Sequence, residues 1–121
     1  MFPDEEHFGG APANVAVHAA ALGAEAWMVS AVGRDARGDV ALARLAAAGV
    51  ESSAVARLAE YPTGVVQVSI DERGMPSYEI AEDSAWDYVR WTALVERAAH
   101  RADAICFGTL AQRSPVTRQT I

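Results

Sequence analysis

The stretch Gly9-Gly10-Ala11-Pro12-Ala13-Asn14-Val15-Ala16-Val17-His18-Ala19-Ala20-Ala21-Leu22-Gly23 decides how this chain is read. A double-glycine turn feeds directly into a run of strong helix formers, with Pro12 suited to the first helical turn and Gly23 to the stop. The helix predicted over 13–22 is apolar almost all round. Only Asn14 and His18 interrupt it, four residues apart and therefore on one face. A helix apolar on most sides packs against a sheet, so the next run, Ala26-Trp27-Met28-Val29-Ser30-Ala31-Val32, reads as a buried parallel strand ending at Gly33. His18 sits a turn deeper than Asn14 and is expected as a packed or hydrogen-bonded core histidine.

Working outward, Gly33-Arg34-Asp35-Ala36-Arg37-Gly38 is loop chemistry, with Asp35 a candidate N-cap for a helix over 39–48 and Gly49 its C′ residue. The apolar stripe of that helix runs through Val40, Leu42, Leu45 and Ala46, and a short strand over 54–58 follows. The period then changes. After Tyr61-Pro62-Thr63-Gly64, the run Val65-Val66-Gln67-Val68-Ser69-Ile70 alternates and places Val66, Val68 and Ile70 on one face. Asp71-Glu72-Arg73-Gly74 supplies a turn, and Met75-Pro76-Ser77-Tyr78-Glu79-Ile80 returns as the antiparallel partner, with Pro76 at a strand start or edge. A hairpin interrupting an α/β alternation reads as a flap or lid. The alternation resumes with a helix over 92–101, a buried strand Ala104-Ile105-Cys106-Phe107, the loop 108–113, and a helix opened by Ser114 as N-cap and Pro115 as N1.

The bulk properties narrow the function classes. The chain has 121 residues, 51% of them apolar, as one small globular unit requires. Ten Arg against sixteen Asp plus Glu give a net charge of -6, and the arginines are scattered singly, so nucleic acid is not an expected partner. The longest block of like charge is Asp4-Glu5-Glu6. The single Cys106 has no internal disulfide partner and reads as a small buried hydrophobe in a reducing compartment. There is no basic, apolar leader at the start and no apolar run near the roughly 18 residues of a membrane span, so a cytoplasmic protein with no membrane partner is expected.

The sharpest site is the Gly9–Asn14 turn. Two glycines allow close backbone approach to a ligand, and the free N–H groups of the first helical turn meet whatever oxygen arrives. Asn14 adds a donor and an acceptor, equipment for a sugar hydroxyl. No Gly-Lys-Ser/Thr follows, so this is not a Walker A loop, and the Gly-x-Gly-x-x-Gly spacing of dinucleotide sites is absent. His7, His18 and His100 have no metal-ligand spacing, and Cys106 has no neighbouring Cys or His. Asp35, Asp39, Asp71, Asp83, Asp87 and Asp103 read as cap, turn or surface residues rather than a catalytic base. Trp27, Trp86 and Trp91 read as packing anchors, and Tyr78 lies on the lid, where ligand contact is the minority reading.

Gly9-Gly10-Ala11-Pro12-Ala13-Asn14-Val15-Ala16 with Gly23 and Gly33 resembles the amino-terminal signature of the PfkB, ribokinase-like carbohydrate kinases. The later stretches Val32–Gly38, Ala48-Gly49-Val50, Pro62-Thr63-Gly64 and Phe107-Gly108-Thr109-Leu110-Ala111 resemble that family in the same order, so the likeness covers essentially the whole chain. Ala85-Trp86-Asp87 together with the Gly10–Asn14 stretch is most similar to the fructokinase branch. The resemblance implies an α/β, ribokinase-like fold: a mainly parallel sheet flanked by helices, with an antiparallel β-hairpin lid over about 63–82. It implies that residues 1–121 are part of a kinase domain truncated at both ends. It further implies substrate-binding roles for Gly9, Gly10, Ala11 and Asn14, with Gln112 and Arg113 bordering the same pocket, and a lid that closes over the sugar.

The intact family member transfers the ATP γ-phosphoryl group to a hydroxyl of a sugar, here a ketose such as fructose, with Mg²⁺ present. Its Gly-Ala-Gly-Asp motif, whose Asp is the catalytic base, does not occur in this sequence, and neither does the strand ending in Asp that precedes the double glycine. Met1 therefore reads as an internal start or a misassigned one. The chain is expected to carry sugar recognition without catalysis, to hold ATP and Mg²⁺ poorly alone, and to associate through exposed apolar surface, including a homodimer through the lid. Two other readings compete: a non-catalytic sugar-binding or association module, and a nucleoside kinase of the same family.

Overall fold

The computed structural model describes residues 7–121, so the acidic Asp4-Glu5-Glu6 and the reading of Met1 lie outside the described residues. The described elements run α1 (Ala11–Ala21), β1 (Ser30–Gly33), α2 (Ala36–Ala47), β2 (Val55–Leu58), β3 (Val66–Ile70), β4 (Pro76–Ile80), a 3-10 turn (Ala85–Tyr88), α3 (Ala93–Arg101), a second 3-10 turn (Leu110–Arg113) and α4 (Pro115–Thr120). β1 and β2 pair in parallel, Ser30 opposite Val55 through Gly33 opposite Leu58, with α2 as the crossover between them. β3 and β4 form a separate antiparallel ladder, Val66 opposite Ile80 through Ile70 opposite Pro76. The α/β alternation with an inserted hairpin is therefore observed.

The main core lies where α1, β1, α2 and β2 meet. Ala16, Ala26, Val32, Leu45, Val50 and Val55 are buried together, with Phe8, Val17, Met28 and Leu42 packed around them. Leu45 and Val50 are only 3% and 4% exposed, and each such side chain contributes roughly 1.5–3 kcal/mol through its burial. A smaller cluster joins Ala31 of β1 to Ala85 and Val89, with Tyr61 beside it. The first 3-10 turn thereby packs against the strand that carries the Gly33 loop.

Several boundaries differ from the sequence reading. The strand expected over 26–32 is regular only from Ser30, and upstream of it a single parallel bridge joins Trp27 to Glu51. α2 starts three residues early because the Asp35 carboxylate caps it, accepting from the Gly38 N–H at 2.8 Å. Ser114 gives no side-chain cap to α4, although Pro115 does open it. The strand expected over 104–107 is absent. No described strand lies alongside to complete its ladder, and Ile105 and Phe107 are 68% and 57% exposed.

Three side chains are corrected with these elements. Cys106 is exposed, carried out by the same unpaired segment. His18 is also exposed: α1 buries Ala13 and Ala16, and a residue two places after Ala16 falls on the opposite side of a 3.6-residue turn. Trp91 is 55% exposed and so is not a buried anchor, whereas Trp27 and Trp86 are half-buried. Tyr78 stands on the hairpin at 66% exposure, opposite Val68.

Candidate functional site

The Gly9–Asn14 turn is built as its residues require. Gly10 caps α1 with φ 115, a conformation that side-chain-bearing residues rarely adopt, and its carbonyl accepts the Asn14 N–H at 2.9 Å. A Cβ on Gly9 or Gly10 would meet no atom within 4 Å, so the backbone there is open to a ligand. Asn14 is exposed on the first turn of the helix. Ala11, Pro12 and Val15 form one wall of a shallow, mainly apolar depression whose other wall is Cys106, Phe107 and Gly108. Two loops far apart in sequence thus meet at the N-terminus of α1.

A second polar centre fixes the hairpin's entry. Thr63 donates its N–H to Asp35 Oδ2 at 2.8 Å and its hydroxyl to Oδ1 at 2.6 Å, while accepting the Gly33 N–H at 2.9 Å. Glycine is obligatory on both sides of this knot. A Cβ on Gly33 would lie 2.3 Å from Asp35 Oδ2 and 2.6 Å from the Thr63 nitrogen, and one on Gly38 would lie 2.3 Å from the Gly33 carbonyl oxygen. Burial pushes the Asp35 carboxyl up, but the hydrogen bonds from Thr63 and Gly38 outweigh it and hold the group below its ordinary value of 3.8. Asp35 is thus a cap and a clamp, as its type suggested; its partner Thr63 had no signal in the sequence beyond standing between Pro62 and Gly64.

The exit of the hairpin is held by Arg113. Its Nε donates to Asp87 Oδ1 at 2.8 Å, and one Nη donates to Asp87 Oδ2 at 2.7 Å and to the Ala81 carbonyl at 2.6 Å. The guanidinium lies 4.3 Å over the Trp86 ring. Asp87 is buried and also accepts the Ser84 N–H at 3.1 Å. Hydrogen bonding to Asp87 raises the Arg113 pKa above its already high ordinary value, against the opposing effect of burial. Gln112 sits half-buried beside it, its N–H bonded to the Thr109 carbonyl at 3.1 Å. The expected site residues therefore fall into two groups: Gly9, Gly10, Ala11 and Asn14 at α1, and Gln112 and Arg113 at the lid's root.

The hairpin presents two unlike faces. Val66, Val68 and Ile70 share one with Ile80, Tyr78 and Pro76; Gln67, Ser69, Ser77 and Glu79 share the other. Gln67 and Glu79 line an open groove with Arg37 from the first turn of α2, so the polar face turns toward the body. Among the described residues no group of three His, Cys, Asp or Glu is placed to hold a metal ion, and no helix is long and apolar enough to cross a membrane.

Comparison with known proteins agrees with this architecture. The profile of the pfkB family carbohydrate kinases matches residues 4–117. An uncharacterized sugar kinase of Pyrococcus horikoshii, PH1459, is 28% identical over 117 residues, covering 97% of this chain and 37% of the relative. Its crystal structure superposes with a TM-score of 0.83 at 30% identity over 96% of this chain and 40% of that one. Its complex with ATP superposes with a TM-score of 0.84. Fructokinase from Xylella fastidiosa gives 0.65 at 35% identity, over 73% of this chain and 26% of that one. Halothermothrix orenii fructokinase gives 0.67 at 29% identity, over 77% and 33%. The chain thus spans about two-fifths or less of these proteins, and within that span it belongs to the PfkB family of carbohydrate kinases.

Proposed function

We propose that this chain is the sugar-recognising part of an ATP-dependent kinase that phosphorylates a hydroxyl of a ketose such as fructose, in the cytoplasm. The observation that carries the reading is the open turn at Gly10, where a glycine-only backbone presents the first N–H groups of α1 and the exposed Asn14 beside the Gly108 loop. Sugar hydroxyls both donate and accept. Asn14 answers with an amide that does both, and Gly9, Gly10 and Ala11 answer with backbone, while Gln112 and Arg113 stand apart at the root of the hairpin that closes over the sugar. Fructokinases among the similar structures favour a ketose over other sugars.

The division of labour follows from the residues. Among the described residues, Asp35, at the entrance of α2, is committed to Thr63 and Gly38, and Asp87 to Arg113 and Ser84. Among the described residues no cluster of three His, Cys, Asp or Glu is placed to hold Mg²⁺ by side chains alone. The chain's own residues bind and orient the sugar and, through the hairpin, exclude water, which would otherwise accept the phosphoryl group. ATP supplies that group when bound to the complete enzyme. The apolar outer face of the hairpin favours a homodimer in which two lids cover one another.

Calorimetric titration of the chain with fructose, paired with a coupled assay for ATP-dependent phosphorylation, tests the reading. Saturable binding without turnover is expected. Turnover by these 121 residues, or no sugar binding at all, would contradict it.

A further inference from the structure

The guanidinium of Arg113 is tied to three groups, and all of them belong to one end of the hairpin. It holds both oxygens of Asp87, the carbonyl of Ala81 where β4 ends, and the face of Trp86. Trp86 in turn touches the hairpin's entry: a Cβ on Gly64 would lie 2.1 Å from its indole nitrogen. The Ala85 N–H donates to the Pro62 carbonyl at 2.8 Å, and Tyr61 stacks on Tyr88 with ring centroids 3.6 Å apart. Thr117 of α4 closes the ring from behind, its hydroxyl donating to the Trp86 carbonyl at 3.0 Å and accepting the Val89 N–H at 3.0 Å.

By contrast, the hairpin beyond its root has no buried residue, and every residue of β3 is exposed. An element with so little apolar burial takes its orientation from its root. We infer that Arg113 is a positioning residue: it latches the exit of the hairpin to the loop after residue 107, so that the pose of the lid is set from the same loop that lines the Gly10 turn. It acts on the sugar through the lid and does not touch it. A planar fork is what the task requires. One side chain must span a carboxylate edge and a carbonyl while stacking on an indole, which an arginine does and a lysine does not. Only the consequence for sugar affinity rests on the function proposed above.

The test is residue-resolved hydrogen exchange on the full 121-residue chain, in wild type, Arg113→Ala and Arg113→Lys. In both variants the Ala81, Ser84 and Ala85 amides at the root should exchange about tenfold faster or more. The Met28, Arg34 and Glu51 amides of the parallel pair should change by less than about twofold, as expected of a locally opening unit. Should Arg113→Ala lose protection throughout, Arg113→Lys, which keeps the stem and the charge, decides by the same comparison. Protection restored by lysine, unchanged exchange at the root, or a uniform rise in the lysine variant would each overturn the latch. Fructose titration of the same variants should show about tenfold weaker binding. If wild type binds no fructose, the sugar reading fails while the exchange result still judges the latch.

Discussion

β1 and β3 are strands of similar length made of similar residues, and they live in opposite surroundings. Three of the four residues of β1 are buried, and none of the five of β3 is. β1 is covered because α2 packs on it, β2 completes its ladder, and the Ala85–Tyr88 turn closes over Ala31. Among the described strands β3 pairs with β4 alone, and the apolar face they share points away from the body. The body of the protein is therefore held by apolar burial, and the hairpin by a ring of hydrogen bonds at its root. That contrast teaches where a substitution should be felt: at the root, not along the strands.

The largest effect should come from adding one carbon where the two regions join. Gly38→Ala drives a Cβ to 2.3 Å from the Gly33 carbonyl oxygen, a backbone atom with nowhere to go. It should cost about 3 kcal/mol in chemical denaturation. The same substitution at Gly74, whose Cβ would meet nothing within 4 Å, should cost less, through its φ of 76 alone.

Asp35→Ala comes next. It removes the α2 cap and both Thr63 contacts, for a loss of about 2 kcal/mol. The pH dependence has the same origin. The folded carboxyl titrates below its unfolded value of 3.8, so its contribution is complete above that value and disappears as pH falls through the folded pKa. Thermal melts of wild type should weaken below about pH 4, and Asp35→Asn should flatten that part of the profile.

The smallest effect on stability should come from the exposed strands. Val68→Thr with Tyr78→Ser should alter the stability of the monomer by less than about 0.5 kcal/mol, since both positions are more than half exposed. Sedimentation should nevertheless show that the pair weakens self-association, because it breaks the apolar face that two lids would share. Unchanged association would move the interface to the other exposed apolar surface, Ile105 and Phe107.

The same contrast governs what could be read from sequence. The alternation of Val66, Val68 and Ile70 showed the hairpin because period two is a local property, and Gly10, Gly23, Gly49 and Gly74 all take the positive φ that turn and cap positions suggested. Asp35 is legible as a cap because the N–H that it accepts, that of Gly38, stands three residues away. Its second task is not, since Thr63 is 28 residues distant, and neither is the Arg113–Asp87 pair, separated by 26. The segment 104–107 has the composition of a buried strand. Apolar composition reports what a strand would bury, not whether a neighbour is there to cover it, and Cys106 and Phe107 are exposed for that reason.

The most direct test of sugar recognition at the α1 turn is a fructose titration followed by backbone amide chemical shifts. The amides of Gly10, Ala11, Ala13 and Asn14 and those of the 108–113 loop should move together along one saturable curve, with α3 silent, and Asn14→Ala should weaken the curve by about tenfold. Shifts confined to α3, or no shifts at millimolar fructose, would contradict a sugar site at Gly10 and Asn14.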